Sequence, residues 1–186
     1  MSNNSGVTLI ELIIVIAIIG IIVLFATVDT AWVQRDARVS EARDRLLADV
    51  EEAKLKSLAQ VPHAIVIVSA SSYKMVKLND TNNNFKKDTS GTPETTTDIA
   101  NSTVTLSTNV KVGLTSGTEF WFDRKGVPRT TNWGINGNTF RVWYDEIANG
   151  VIDWTEVGAL DNENKCNEPC RLIIISNTGR IQYEKR

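Results

Sequence analysis

Glu11 is the residue whose chemistry stands out most from its setting. It lies in GVTLIELIIVIAIIGIIV, residues 6–23, among branched aliphatic side chains, and no further charge follows before Asp29. A carboxylate at the centre of a lipid-embedded helix costs about 2.5–3.5 kcal/mol on insertion scales, and less near a helix end that reaches interfacial water. One reading is a first-turn side chain that snorkels to water, aided by the positive end of the helix dipole. The sharper reading needs a cation at matching depth, and no Lys or Arg precedes Arg35. A cut after Gly6 would supply one: the new α-amino group of Val7, charged near neutral pH and four residues from Glu11, within one chain or between neighbours.

The other candidates are local. Asp80, Asn82, Asn84 and Asp88 fall at calcium-loop offsets, but Phe85 stands where such a loop uses glycine and no glutamate closes it. The stretch NDTNNNFKKDTSGTPETTTD, residues 79–98, therefore reads as a solvated hairpin loop, with those four residues as calcium candidates and no metal assigned. Cys166 and Cys170 read first as a disulfide made outside the cytoplasm, with free thiols as the alternative, because zinc wants four ligands and the chain has a single histidine. A bridge so short stiffens a loop rather than stapling a domain. His63 has no nucleophile or acid beside it in sequence and reads as structural. No phosphate-cradling glycine loop or local Ser/His/Asp set is visible, so neither catalysis nor a cofactor is expected.

The elements that must position these groups follow from periodicity. Leu12 to Val28 carries no charge and as a helix covers roughly 25 Å, the short end of a membrane span. The leading MSNNSG has no Lys or Arg and no small-x-small cleavage site follows, which favours a retained membrane helix over a secretory signal. A buried core helix is the alternative, since Ile and Val cover every face. Beyond Asp29, Val39, Ala42, Leu46, Val50 and Ala53 recur every three or four residues among charged neighbours, with Glu41–Arg45 and Glu52–Lys56 as i,i+4 pairs. The pattern predicts one rod, about Thr8 to Gln60 and roughly 80 Å long, with half in lipid or against other helices and a Val39–Leu58 face turned to a head. Gly20 weakens the apolar half by about 1 kcal/mol relative to alanine, permitting either local stretching or a close helix contact. Trp32 fits an interfacial anchor or a plain exposed or packed tryptophan.

From Val61 the signals are short strands: AIVIVS, YKMVKL, STVTL, NVKVGL, EFWFD, TFRVWYD, RLIIIS and RIQYE. The first two and the last two read as hairpins, and Ile65–Val68 and Leu172–Ile175, apolar on both faces, as central strands. The expected fold class is α+β, a long N-terminal transmembrane and amphipathic α-helix packed on an antiparallel β-sheet head. Its divisions are a leader at 1–6, a membrane half-helix at 7–28, an amphipathic half at 29–60 and a β-rich head at 61–186. With 20 Lys and Arg against 22 Asp and Glu, net −2, no global charge directs the chain to nucleic acid.

Gly6, Val7, Thr8, Leu9, Ile10, Glu11 and Leu12 resemble the class III signal of type IV pilins and pseudopilins. EFWFDRKG (119–126) and SNTGRI (176–181) resemble the two glycine-containing hairpin turns of GspH/FimT-type minor pilins. The resemblance implies cleavage between Gly6 and Val7 by a prepilin peptidase, N-methylation of Val7, and a role for Glu11 in registering subunits during assembly. It implies a bacterial inner-membrane protein, single-pass with a periplasmic head, built into a type II secretion pseudopilus or a type IV pilus near the filament tip. The implied partners are other pilins or pseudopilins, the peptidase, an inner-membrane assembly platform and membrane lipid. Val7 stands where the family usually has phenylalanine, and the leader lacks the usual basic residue.

Two alternatives stay open. Some FimT-like minor pilins bind DNA through a basic C-terminal stretch, here Arg180, Lys185 and Arg186, but Gln182 and Glu184 interrupt it, so nucleic acid is not the expected partner. The second is an unprocessed signal-anchored protein with a cytoplasmic head, which Arg35, Arg38, Arg43 and Arg45 favour by the positive-inside rule.

Overall fold

The aliphatic run coils into α1, Leu9–Ala26, and the amphipathic run into α2, Thr30–Ala59, in a computed structural model that describes residues 8–26, 30–88, 94–145 and 169–185. The expected single rod is thus described as two helices, with residues 27–29 outside the described set. The chain divides into two compact units, Met1–Gln34 and Arg35–Arg186.

In the first unit, every large apolar side chain from Leu9 to Val23 is 51–77 % exposed. No stripe on this helix is polar apart from Glu11, so it offers hydrocarbon on all sides. Among the described residues no helix is long and apolar enough to cross a membrane. α1 has 18 residues, about 27 Å, against the ~20 apolar residues that a ~30 Å hydrocarbon layer asks for.

In the second unit, the amphipathic repeat turns one stripe of α2 inward: Val39, Ala42, Leu46, Val50, Ala53 and Ser57 are buried. The expected stripe ended on Leu58, but Leu58 is 44 % exposed and Ser57 takes the inward place. Helical spacing from Ala53 leads to Ser57, and its hydroxyl is satisfied, donating to Ala53 O at 2.8 Å and accepting the His63 N–H at 2.9 Å. The i,i+4 pair Glu52–Lys56 forms at 2.7 Å.

The expected antiparallel head is present, and its described strands form two sheets. The first contains β1 (His63–Ser69), β2 (Ser72–Leu78), β3 (Thr96–Asp98), β4 (Val104–Thr105), β6 (Glu119–Phe122) and β7 (Pro128–Arg129), in the order β3-β2-β1-β6-β7 with β4 also on β2. The second contains β5 (Val110–Leu114), β8 (Asn138–Tyr144), β9 (Cys170–Ile175) and β10 (Ile181–Lys185), in the order β10-β9-β8-β5. The apolar runs of β1 and β9 do lie inside their sheets, each between two partners. The β1–β2 and β9–β10 hairpins form, and a bulge between Ile67 and Ser69 bends the first. Both sheets and the α2 stripe share one core. Phe120 bridges the sheets, edge-on to Phe122 at 5.1 Å and to Phe140 at 5.5 Å between ring centres.

The outer face of the first sheet carries a smaller apolar cluster, Ala64, Val76, Leu78 and Trp121, with Val66 and Trp133 against it. Part of the polar 79–98 stretch shields it. Lys87 lies 5.1 Å from the Trp121 ring and pairs with Glu119, which also accepts Trp121 Nε1–H at 2.9 Å. β2 and the Thr96–Asp98 end of the stretch, β3, pair antiparallel as a hairpin would, residues 89–93 lie outside the described set, and the described part is not wholly solvated.

Candidate functional site

Glu11 sits in a reciprocal helix cap. Thr8 precedes α1, and its N–H and Oγ1 both donate to Glu11 Oε2, at 3.0 and 3.1 Å, while Glu11 N–H donates back to Thr8 Oγ1 at 3.3 Å. This is a capping box: two donors orphaned at the helix start are satisfied by two side chains three residues apart. The T-x-x-E spacing at positions 8–11 announces it, and reading Glu11 only as a charge overlooks that signal. Gly6 and Val7 lie outside the described residues. Glu11 therefore stands at the exposed end of an apolar helix, its carboxylate turned back onto Thr8.

The loop candidates do come together. Asn82 and Asn84 each donate an amide N–H to Asp88 Oδ2 at 2.7 Å, and Asp80 accepts the N–H groups of Asn84 and Phe85 at 3.1 and 2.7 Å. Asn83 and Phe85 turn through positive φ, 56° and 58°. Glu94, which no sequence signal marked, closes the loop from the far side by accepting from Thr81 N–H at 3.2 Å and Asp88 N–H at 3.4 Å. Among the described residues no group of three or more His, Cys, Asp or Glu is placed to hold a metal ion.

His63 opens β1, is 2 % exposed, and has Nδ1 2.6 Å from Val61 O. Burial holds its pKa below the ordinary value, opposed by that carbonyl contact and by Glu52 and assisted by Lys56 and Lys77. Cys170 begins β9, is buried and disulfide-bonded; Cys166 lies outside the described residues. Arg180 is exposed in the turn before β10, and the Lys185 backbone ends that strand. Arg186 and the Lys185 side chain lie outside the described set.

The two glycine turns singled out in the sequence touch each other. Gly126, φ 70°, closes the β6–β7 turn by donating to Asp123 O at 2.9 Å, and Gly179, φ 80°, closes the β9–β10 turn by donating to Ser176 O at 2.8 Å. A Cβ on Gly179 would lie 2.2 Å from Gly126 O, so this turn needs glycine both for its left-handed backbone and for the approach of its neighbour. Lys54 of α2, which no motif predicted, donates from Nζ to Gly179 O at 2.8 Å, and its stem covers Gly126. Asp123 ties the first turn internally: Oδ1 accepts Lys125 and Val127 N–H at 2.8 and 2.9 Å, and Oδ2 accepts Arg129 Nη2 at 2.7 Å. The clasp locks one sheet to the other beside the helix.

No curated protein and no solved structure matches the chain. Residues 1–27 match the family model of the prokaryotic N-terminal methylation motif, the signal of type IV pilins, and the motif points to a pilin-like structural subunit that assembles with other pilins after prepilin processing.

Proposed function

We propose that the chain is a minor pilin or pseudopilin, a subunit of a type II secretion pseudopilus or a type IV pilus. In this reading prepilin peptidase cuts between Gly6 and Val7, Val7 is methylated, and α1 anchors the protein once through the inner membrane with the head in the periplasm. Assembly-platform proteins then draw α1 out of lipid and into a filament near its tip. The observation that carries the proposal is the methylation motif leading into a helix whose large apolar side chains from Leu9 to Val23 are all exposed. Such a surface needs lipid or sibling helices around it. Glu11 aligns the incoming subunit by pairing with the Val7 amine of a neighbour, an interaction strengthened in an apolar surrounding. In the oxidising periplasm the disulfide of Cys170 closes on Cys166.

Intact-mass and N-terminal peptide analysis of protein recovered from sheared filaments tests this directly. The expected mature chain begins at a methylated Val7. Filament-borne protein that retains an unmodified MSNNSG would overturn the reading.

A further inference from the structure

We propose that β10 is a self-pairing edge, and that two copies of this chain join there head to head in one continuous antiparallel sheet. A free strand edge carries unpaired N–H and C=O groups, and folded proteins blunt most such edges. The first sheet does so with β3, three residues, and with β4 and β7, two residues each, the last beginning on Pro128. At the far side of the second sheet, Val112 N–H of β5 donates to Ala70 O at 2.7 Å, tying that edge to the β1–β2 turn. β10 is five residues long and, among the described strands, ends the order β10-β9-β8-β5. Tyr183 is 65 % exposed, and an open groove of about 490 Å³ runs along the strand between Ile174, Ile181, Gln182, Tyr183 and Glu184.

The register is set by which groups point outward. Ser176 N–H donates to Arg180 O at 2.9 Å, so Arg180–Ser176 is a hydrogen-bonded pair. By alternation along the ladder, Gln182–Ile174 and Glu184–Leu172 are the next such pairs. Ile181 and Tyr183 therefore aim their backbone N–H and C=O groups away from β9. Pairing these two residues with Tyr183 and Ile181 of a second copy makes two hydrogen-bonded pairs, each exchanging both bonds.

That same register makes RIQYE its own complement. Arg180 faces Glu184 of the second copy, Glu184 faces its Arg180, and Gln182 meets itself on the two-fold axis. All three lie on one face of the strand, in the non-hydrogen-bonded positions where opposed side chains approach most closely. Turned to put its oxygen toward the guanidinium, the Gln182 amide accepts from Arg180 Nε and Nη2 at 3.3 and 3.1 Å, holding Arg180 along that face. On the other face Ile181 packs on the core and Arg43 lies 4.9 Å from the Tyr183 ring, so the apolar pair is already oriented. A two-fold contact of this kind joins identical patches and closes on itself, which argues for a second copy over an unrelated peptide.

The test is a cysteine scan of residues 181–184 in the full-length chain, in detergent and in membranes, under mild oxidation. Gln182→Cys is expected to give a disulfide-linked homodimer far more readily than its neighbours, because Cα atoms in that position sit ~4.5 Å apart, within disulfide reach. In the Gln182→Cys background, Glu184→Arg or Arg180→Glu should each cut cross-linking about ten-fold by opposing like charges, and the double exchange should restore it. Tyr183→Pro removes an N–H that β9 does not use and should abolish the dimer while leaving the tryptophan fluorescence of the head unchanged. Uniform cross-linking across the scan, a maximum at another position, no rescue by the double exchange, or a band joining a different protein would overturn the proposal. N-terminal processing and filament incorporation are read separately on the same protein, so failure here is distinct from failure of the filament reading.

Discussion

Glu11 has one observed role and one proposed role, and a single substitution separates them. Its carboxylate closes the Thr8 cap and supplies the charge that filament registration is proposed to use. Glu11→Gln keeps an acceptor for the Thr8 N–H but removes the charge, whereas Glu11→Ala removes both. Under charge pairing, both variants insert into membranes but fail to enter filaments. Incorporation of the Gln variant at the parental level would leave capping as the residue's whole contribution. His63 gives a second residue-scale prediction. Its folded-state pKa lies below the ordinary 6.5, chiefly through burial, so the unfolded chain binds the proton more readily. The stabilising effect is full above pH 6.5 and is lost as pH falls from there through the folded value. Glu119 acts at lower pH. Burial opposes ionisation, but the bonds from Lys87 and Trp121 outweigh it and hold the carboxyl below its ordinary 4.5, so its stability is present above that value and lost as pH falls further. Chemical denaturation across pH should show His63→Gln flattening the upper limb and Glu119→Gln only the lower.

At the scale of elements, α2 and the clasp should be the sensitive parts and α1 the tolerant one. Leu46 is fully buried in the shared core, and Leu46→Ala should cost about 2–5 kcal/mol, the range for deleting a packed leucine. Gly179→Ala forces a left-handed backbone on alanine and a Cβ onto Gly126 O; the conformation alone is worth ~1–3 kcal/mol. Gly126→Ala should cost less, because its nearest neighbour is the flexible Lys54 stem at 3.1 Å. By contrast a Cβ on Gly20 meets nothing within 4 Å. Gly20→Ala should raise α1 helicity by about 1 kcal/mol, so any loss of filament incorporation would locate a helix contact in the assembled state. Urea denaturation of the head and circular dichroism of the full chain in micelles check the two sets.

At the scale of the molecule, the second unit holds everything its core uses. The α2 stripe begins at Val39, and both sheets pack on it. A chain starting at Arg35 should therefore unfold cooperatively and stay soluble without detergent, since the exposed aliphatic surface of α1 is gone. One starting at residue 48 loses Val39, Ala42 and Leu46 and should fail to show a sharp transition. Scanning calorimetry and size-exclusion chromatography of the two truncations decide this.

Periodicity made the elements legible because helices and strands repeat on intervals short enough to be written in consecutive residues. The α2 stripe, the two hairpins and the central strands β1 and β9 could all be read that way, and the N-terminal motif by its family resemblance. Even the Thr8–Glu11 cap was available locally, as a three-residue spacing. Lys54 reaching Gly179 across 125 positions, Glu94 closing the acidic loop, Lys87 lying over Trp121 and the division of the strands into two sheets had no such signal. Apart from the local Glu94 contacts, 6 and 13 residues from their partners, these join segments far apart in the chain, and their partners are selected by how α2 and the sheets fill one volume. Local pattern determined what each segment is; packing decided which segments meet.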